Sequence, residues 1–158
     1  MTARAPADRR AAYLAKETRI SMVINAVLSL AFFVLLIGLP AAVPVAGIGN
    51  YAFDFVPQSF IIALMSALVP GFITATRIRG GAIAGRPEQG GAIVLRSVLT
   101  AFVSGLVGAG IAGTLLASGI ATVPLVPALA AKILYGIALA YVVTPIGLAR
   151  ALRSTELA

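Results

Sequence analysis

The chain has no cysteine, histidine or tryptophan, and only five of its 158 residues are acidic. Without Cys there is no disulfide, iron–sulfur cluster or thiol nucleophile, and without His there is no imidazole ligand for haem or zinc. Carboxylates, amides, hydroxyls, thioethers and amines are what remain. Of the acids, only Asp54 lies near an apolar run, so a paired-carboxylate hydrolase is hard to assemble. These absences argue against an enzyme, and no cofactor or metal site is expected.

Charge is scarce as well. Charged residues make up 11% of the chain against 60% hydrophobic, and the mean hydropathy is +1.04. A soluble domain of this length has too little interior to hide that much apolar surface, so lipid has to cover the remainder. The net charge of +7 would suggest nucleic acid in a soluble protein. Here the basic residues flank apolar segments, as topology signals and contacts for anionic head groups do. The expected partners are the bilayer, including anionic lipids, and other membrane subunits or a second copy, but no nucleic acid.

Four apolar runs are present. Ile20 to Leu39 carries no charge and is long enough for a hydrocarbon core of ~30 Å at ~1.5 Å per residue. The small-residue VPVAG that follows would suit a signal-peptide cleavage site, but the run exceeds the usual core of ~7 to 15 residues and reads as a mature span. Further spans are expected over Phe60 to Thr76, Ser97 to about Ile120, and about Ala128 to Leu148. Pro70 and Pro145 lie near the inner ends of the second and fourth as candidate kinks, since proline removes a helix hydrogen bond. The expected organisation is a basic arm over 1–19, either a short interfacial helix with Tyr13 and Leu14 turned inward against the head groups or a disordered tail, and a first hairpin over 20–76. A Gly/Arg linker over 77–96, a second hairpin over 97–149 and a tail over 150–158 complete it. The linker contains neither GxxxxGK[ST] nor GxGxxG, and its single acid, Glu88, is a poor basis for a lipid-modifying active site. Arm, linker and tail hold every Lys and Arg except Lys132, so both termini are expected in the cytoplasm of a bacterial inner membrane.

The intervals from Arg19 to Pro70 and from Arg96 to Pro145 match in length and plan: a basic start, a helix, a Pro or Gly break, and a second helix. The fold class expected is therefore an all-α integral membrane four-helix bundle built from two parallel-repeat hairpins. Small residues recur every fourth position in each span. They are Ser21, Asn25 and Ser29 in the first, and Ser59, Ala63, Ala67 and Gly71 in the second. The third has Ser97, Ala101, Gly105, Ala109, Gly113 and Ala117, and the fourth has Gly136, Ala140 and Thr144. Such stripes let helix backbones approach closely in lipid, and the longest of them places the third helix at the centre of the packing.

The stretches SMVINAVLSL and QSFIIALMSALVPGFITATR, echoed by SVLTAFVSGL and YGIALAYVVTPIGLAR, resemble an uncharacterised type of small bacterial inner-membrane protein, a two-span domain of unknown function, here in tandem. That resemblance implies no activity.

Few residues stand out as sites. Asn25, with Ser21 and Ser29, is a candidate polar path, although an intramembrane Asn more often ties helices together. Asp54 and Lys132 are the charges expected toward the outer side, either as an ion pair or with Lys132 snorkelling to water. The leading expectation is an accessory, scaffolding or assembly subunit; the alternative is a small-solute or lipid transporter or channel working as an oligomer.

Overall fold

The computed structural model describes residues 6–83 and 87–153. The chain folds as α1 (Pro6–Leu36), β1 (Ala42–Pro44), α2 (Phe55–Arg79), α3 (Gly90–Ala117), β2 (Thr122–Pro124) and α4 (Leu125–Arg153). Each helix contains a stretch long and apolar enough to cross a membrane, with mean hydropathies of 1.8 to 2.1. The protein is an all-α, four-span, multi-pass membrane protein.

The expected boundaries shift. Helix α1 runs unbroken from Pro6 into the first span, so the described part of the basic arm is its first turns rather than a separate element. Helices α2 and α3 likewise extend into the expected linker, to Arg79 and from Gly90, leaving a short connection between them. Parts of the expected arm, linker and tail, residues 1–5, 84–86 and 154–158, lie outside the described residues.

The first helix of each hairpin ends at a glycine in the left-handed region, Gly38 (φ +78°) and Gly119 (φ +70°), where a side chain would be strained. After each glycine the chain turns into a three-residue strand. Strands β1 and β2 pair antiparallel with Val43 opposite Val123, which caps one end of the bundle. The cap was not expected from the sequence, since each strand is only three residues and the two lie far apart in the chain. Val43, within β1, and Val45, just after it, are fully buried.

Helix α2 is the central helix. Half of its apolar stretch is buried, against 28% or less in the other three. It packs on α3 and α4, while α1 packs on α4 and only grazes α2. The expectation that α3 holds the centre is therefore corrected. In α3 the buried face runs through Ile93, Ser97, Ala101, Ser104, Gly108 and Ala112; Gly105 is half-buried, and Ala109, Gly113 and Ala117 point outward. The cause is geometric. At ~3.6 residues per turn, a strict step of four drifts about 40° round the helix each time, so a six-member stripe leaves the one side that α3 packs on α2, whereas α2, packed on both α3 and α4, keeps so long a series covered. The shorter stripes of α1, α2 and α4 do not drift far enough, and every member of them is buried. Pro70 and Pro145 lie inside continuous helices, Pro70 fully within the packed interior.

Candidate functional site

Polar side chains from α1, α2 and α4 meet inside the bundle in four layers. Under the β1–β2 cap, Lys132 Nζ lies 2.9 Å from Asp54 Oδ2, and the two residues are 1% and 5% exposed. Asp54 is placed by the turn preceding α2, and Lys132 by the second turn of α4, which brings it level with that turn. Aromatic rings enclose the ammonium, with the Phe55 centroid at 3.5 Å and the Tyr51 centroid at 5.1 Å. Phe55 is held edge-on between Tyr51 and Tyr135. A lysine charge over ring faces is attracted by their quadrupoles, and the carboxylate neutralises it, which is how a charge is tolerated here. Tyr51 donates its hydroxyl to the Ala128 carbonyl at 3.2 Å. Burial, and then the neighbouring Asp54 charge, hold its phenol protonated to higher pH than usual.

One turn deeper, Gln58 Nε2 donates to Ser29 Oγ (3.0 Å) and to the Lys132 carbonyl (3.3 Å). Ser59 Oγ and the Tyr135 hydroxyl are 2.6 Å apart. In the third layer Asn25 Nδ2 donates to the Ser21 carbonyl (2.8 Å) and to Ser66 Oγ (3.0 Å), and Thr144 Oγ1 donates to Ser21 Oγ (2.8 Å). At the other end Arg77 Nη1 donates to Glu17 Oε1 (2.8 Å) and to the Tyr13 hydroxyl (2.9 Å), and Tyr13 in turn meets Thr74 Oγ1 at 3.1 Å. The expected polar path residues Ser21, Asn25 and Ser29 thus share the interior with Asp54 and Lys132.

Two buried amide oxygens are left without a partner, Asn25 Oδ1 and Gln58 Oε1. In both residues the opposite assignment would set an amide oxygen against a main-chain carbonyl, which only accepts, so the orphan is the oxygen in each case. Both residues line cavities in the groove where α1 stands off from α2. The cavity nearer the β1–β2 cap, about 60 Å³, is bounded by Leu28, Ser29, Phe32, Asp54 and Gln58. The one farther from the cap, about 120 Å³, is bounded by Glu17, Ser21, Asn25, Leu28 and Ser66. Leu28 is common to both.

Sequence reasoning did not reach Gln58, Ser66, Tyr135, or the Tyr13–Glu17–Arg77 cluster. The signal for the first two was present: from Asp54 at the N-cap of α2, Gln58, Ile62, Ser66, Pro70 and Thr74 follow at every fourth residue, and all are buried. Elsewhere, Arg96 pairs with both oxygens of Glu88 at 2.9 Å. No group of three or more potential metal ligands occurs among the described residues. Comparison with protein-family models, with curated proteins and with solved structures finds no match for this chain.

Proposed function

We propose that this membrane protein is a non-enzymatic assembly subunit that associates, with a second copy or another membrane protein, through the outward face of α3. One observation carries the reading. Gly110 and Gly113 have nothing within 4 Å of where a side chain would begin, and Ala109 and Ala117 face outward beside them. Glycine weakens a helix by ~1 kcal/mol relative to alanine, and on this face no packing within the chain offsets that loss. Small residues facing lipid are what close helix–helix contact between subunits requires.

Gly113→Leu tests this. It is expected to leave the melting temperature in mild detergent unchanged while abolishing co-purification of differently tagged copies, or of a stoichiometric partner. Unaltered association would reject the α3 face.

The same reading includes a bacterial inner membrane, both termini in the cytoplasm, and a duplicated hairpin. The last is supported by the packing, in which the first helix of each hairpin lies on the second helix of the other and the equivalent strands pair. Because the chain has no Cys, single-Cys reporters are clean. Ile48→Cys, in the fully exposed turn after β1, is expected to react with an impermeant maleimide from outside. Glu88→Cys should react only after the membrane is opened, and the reverse pattern would invert the topology.

A second reading, a path for small solutes or lipid along Ser21, Asn25 and Ser29, is favoured by the groove between α1 and α2 and its two unpaired acceptors.

A further inference from the structure

We propose that a depression between α1 and α4, at the end of the bundle opposite the β1–β2 cap, binds one anionic phospholipid, with Arg19 on its phosphate and its acyl chains along Met22 and Val142.

The depression holds about 600 Å³ and is bounded by α1 between Leu14 and Met22 and by α4 between Tyr141 and Pro145. Its depth in the bilayer selects an amphipathic occupant. Counted from the capped ends of the two helices, Leu36 in α1 and Leu125 in α4, Arg19 and Tyr141 both lie about 25 Å away at ~1.5 Å per residue, close to the far edge of a hydrocarbon core ~30 Å thick. Met22 lies deeper in the core and Leu14 past its edge, so the depression crosses from hydrocarbon into the head groups. Tyr141 and Val142, 61% and 54% exposed, form a wall that is open sideways to lipid and along which acyl chains continue.

Charge selects the head group. Arg19 is exposed and lines the depression, whereas Glu17, the acid nearest to it in sequence, is turned to the α2 side of α1 and held there by Arg77 at 2.8 Å. Among the described residues no Asp or Glu lines the depression, which leaves it positive. A guanidinium offers a phosphate two parallel hydrogen bonds. Thr18, 7% exposed, adds a hydroxyl-bearing side chain, and Pro145 has no N–H to give the Tyr141 carbonyl, which points along α4 toward it. A carbonyl released in this way accepts a donor. Ethanolamine would bring a second cation beside Arg19 and choline has no donor, whereas a glycerol head group supplies neutral hydroxyls. The lipid is therefore phosphatidylglycerol. The site shares no residue with the α3 face and does not depend on the assembly reading.

Purified, delipidated protein in mild detergent provides the test. Its melting temperature is followed against added phosphatidylglycerol, phosphatidylcholine or phosphatidylethanolamine, and against soluble glycerol phosphate. Wild type is expected to be stabilised saturably by phosphatidylglycerol at concentrations where the other three have no effect, and to retain one such lipid per chain in native mass spectrometry. Arg19→Gln should raise the concentration for half-maximal stabilisation about tenfold, the loss of one charge-assisted contact. Arg79→Gln removes the same charge from an exposed position of α2 outside the depression and should respond like wild type. Ala15→Phe, which fills the depression without changing charge, should abolish both the stabilisation and the retained lipid, and its lipid-free melt checks that the fold is intact. Equal stabilisation by phosphatidylcholine or phosphatidylethanolamine, or an Arg19→Gln or Ala15→Phe variant as responsive as wild type, would overturn the proposal. So would an Arg79→Gln variant as impaired as Arg19→Gln, which would mean diffuse attraction by net charge. Stabilisation by glycerol phosphate would make this a site for a free phosphate ester, and loss of co-purification between tagged copies on Ala15→Phe would make it a subunit contact; either rejects the lipid.

Discussion

Removing the Asp54 carboxylate would strand the Lys132 ammonium between aromatic rings, with no other acidic side chain in contact among the described residues. Breaking a buried pair on one side costs ~3 to 5 kcal/mol, because the surviving charge stays desolvated, whereas replacing both partners with apolar groups is often tolerated. Asp54→Asn or Lys132→Met alone is therefore expected to lower the detergent melting temperature sharply. The double variant Asp54→Leu with Lys132→Met should recover most of the loss. The charge swap, Asp54→Lys with Lys132→Asp, separates pairing from position: partial recovery is expected, since an ion pair can reform but a carboxylate gains nothing from the ring faces that hold the ammonium. If the double and swapped variants melt no higher than the single ones, the pair is not what stabilises this end of the bundle.

At the scale of single elements, the depth of contact between α2 and α3 is set by Gly108. A side chain there would run into the Phe55 carbonyl oxygen and Ser59 Oγ, and a main-chain carbonyl in a helix has little room to yield. Gly108→Ala is expected to cost ~1 to 3 kcal/mol by overpacking, while Gly113→Ala should be neutral or slightly stabilising. Thermal melts of the two variants, which differ only in the face they occupy, check this. The contrast also marks what the sequence could yield. Four spans were legible, because runs of apolar residues at membrane length need no tertiary information. The packing faces of α1, α2 and α4 were legible from short stripes, but that of α3 was not, because Gly108 and Gly113 are the same residue type and only the partner's position tells them apart. Asp54 and Lys132 stood out as rare charges in an apolar chain. Gln58, an ordinary polar residue near a span end, gave no such contrast, and its role depends on Ser29 and Lys132 arriving from two other helices. The β1–β2 cap, three residues on each side, carries too little periodicity to be read before the fold is known.

For the whole molecule, the order of contacts decides how the chain assembles. Helices α1 and α2 are neighbours in sequence yet their backbones stand apart and meet mainly through polar side chains, whereas α1 lies along α4 and α3 along α2. Each hairpin therefore finds its main packing partners in the other hairpin, and the two cap strands, one from each half, pair only when both halves are present. Helices that are individually stable in lipid associate in a second step, so continuity between the halves is needed for insertion of neither hairpin. A chain cut in the connection between α2 and α3, with the halves expressed together, is expected to give a complex that co-purifies and melts close to the intact protein. The shortfall should be limited to the entropy of losing the tether. Either half alone should lack a defined melt, since its two helices pack closely mainly on the other half, and its polar residues, Ser21 and Gln58 in one case or Lys132 and Thr144 in the other, would each lose a partner supplied by the other half. Asp54→Asn in the first half should weaken co-purification with the second, because the ion pair crosses the cut. Halves that fold independently, each with its own sharp transition, would show that helices within a hairpin associate after all and that the cross-packed arrangement is not what stabilises the bundle.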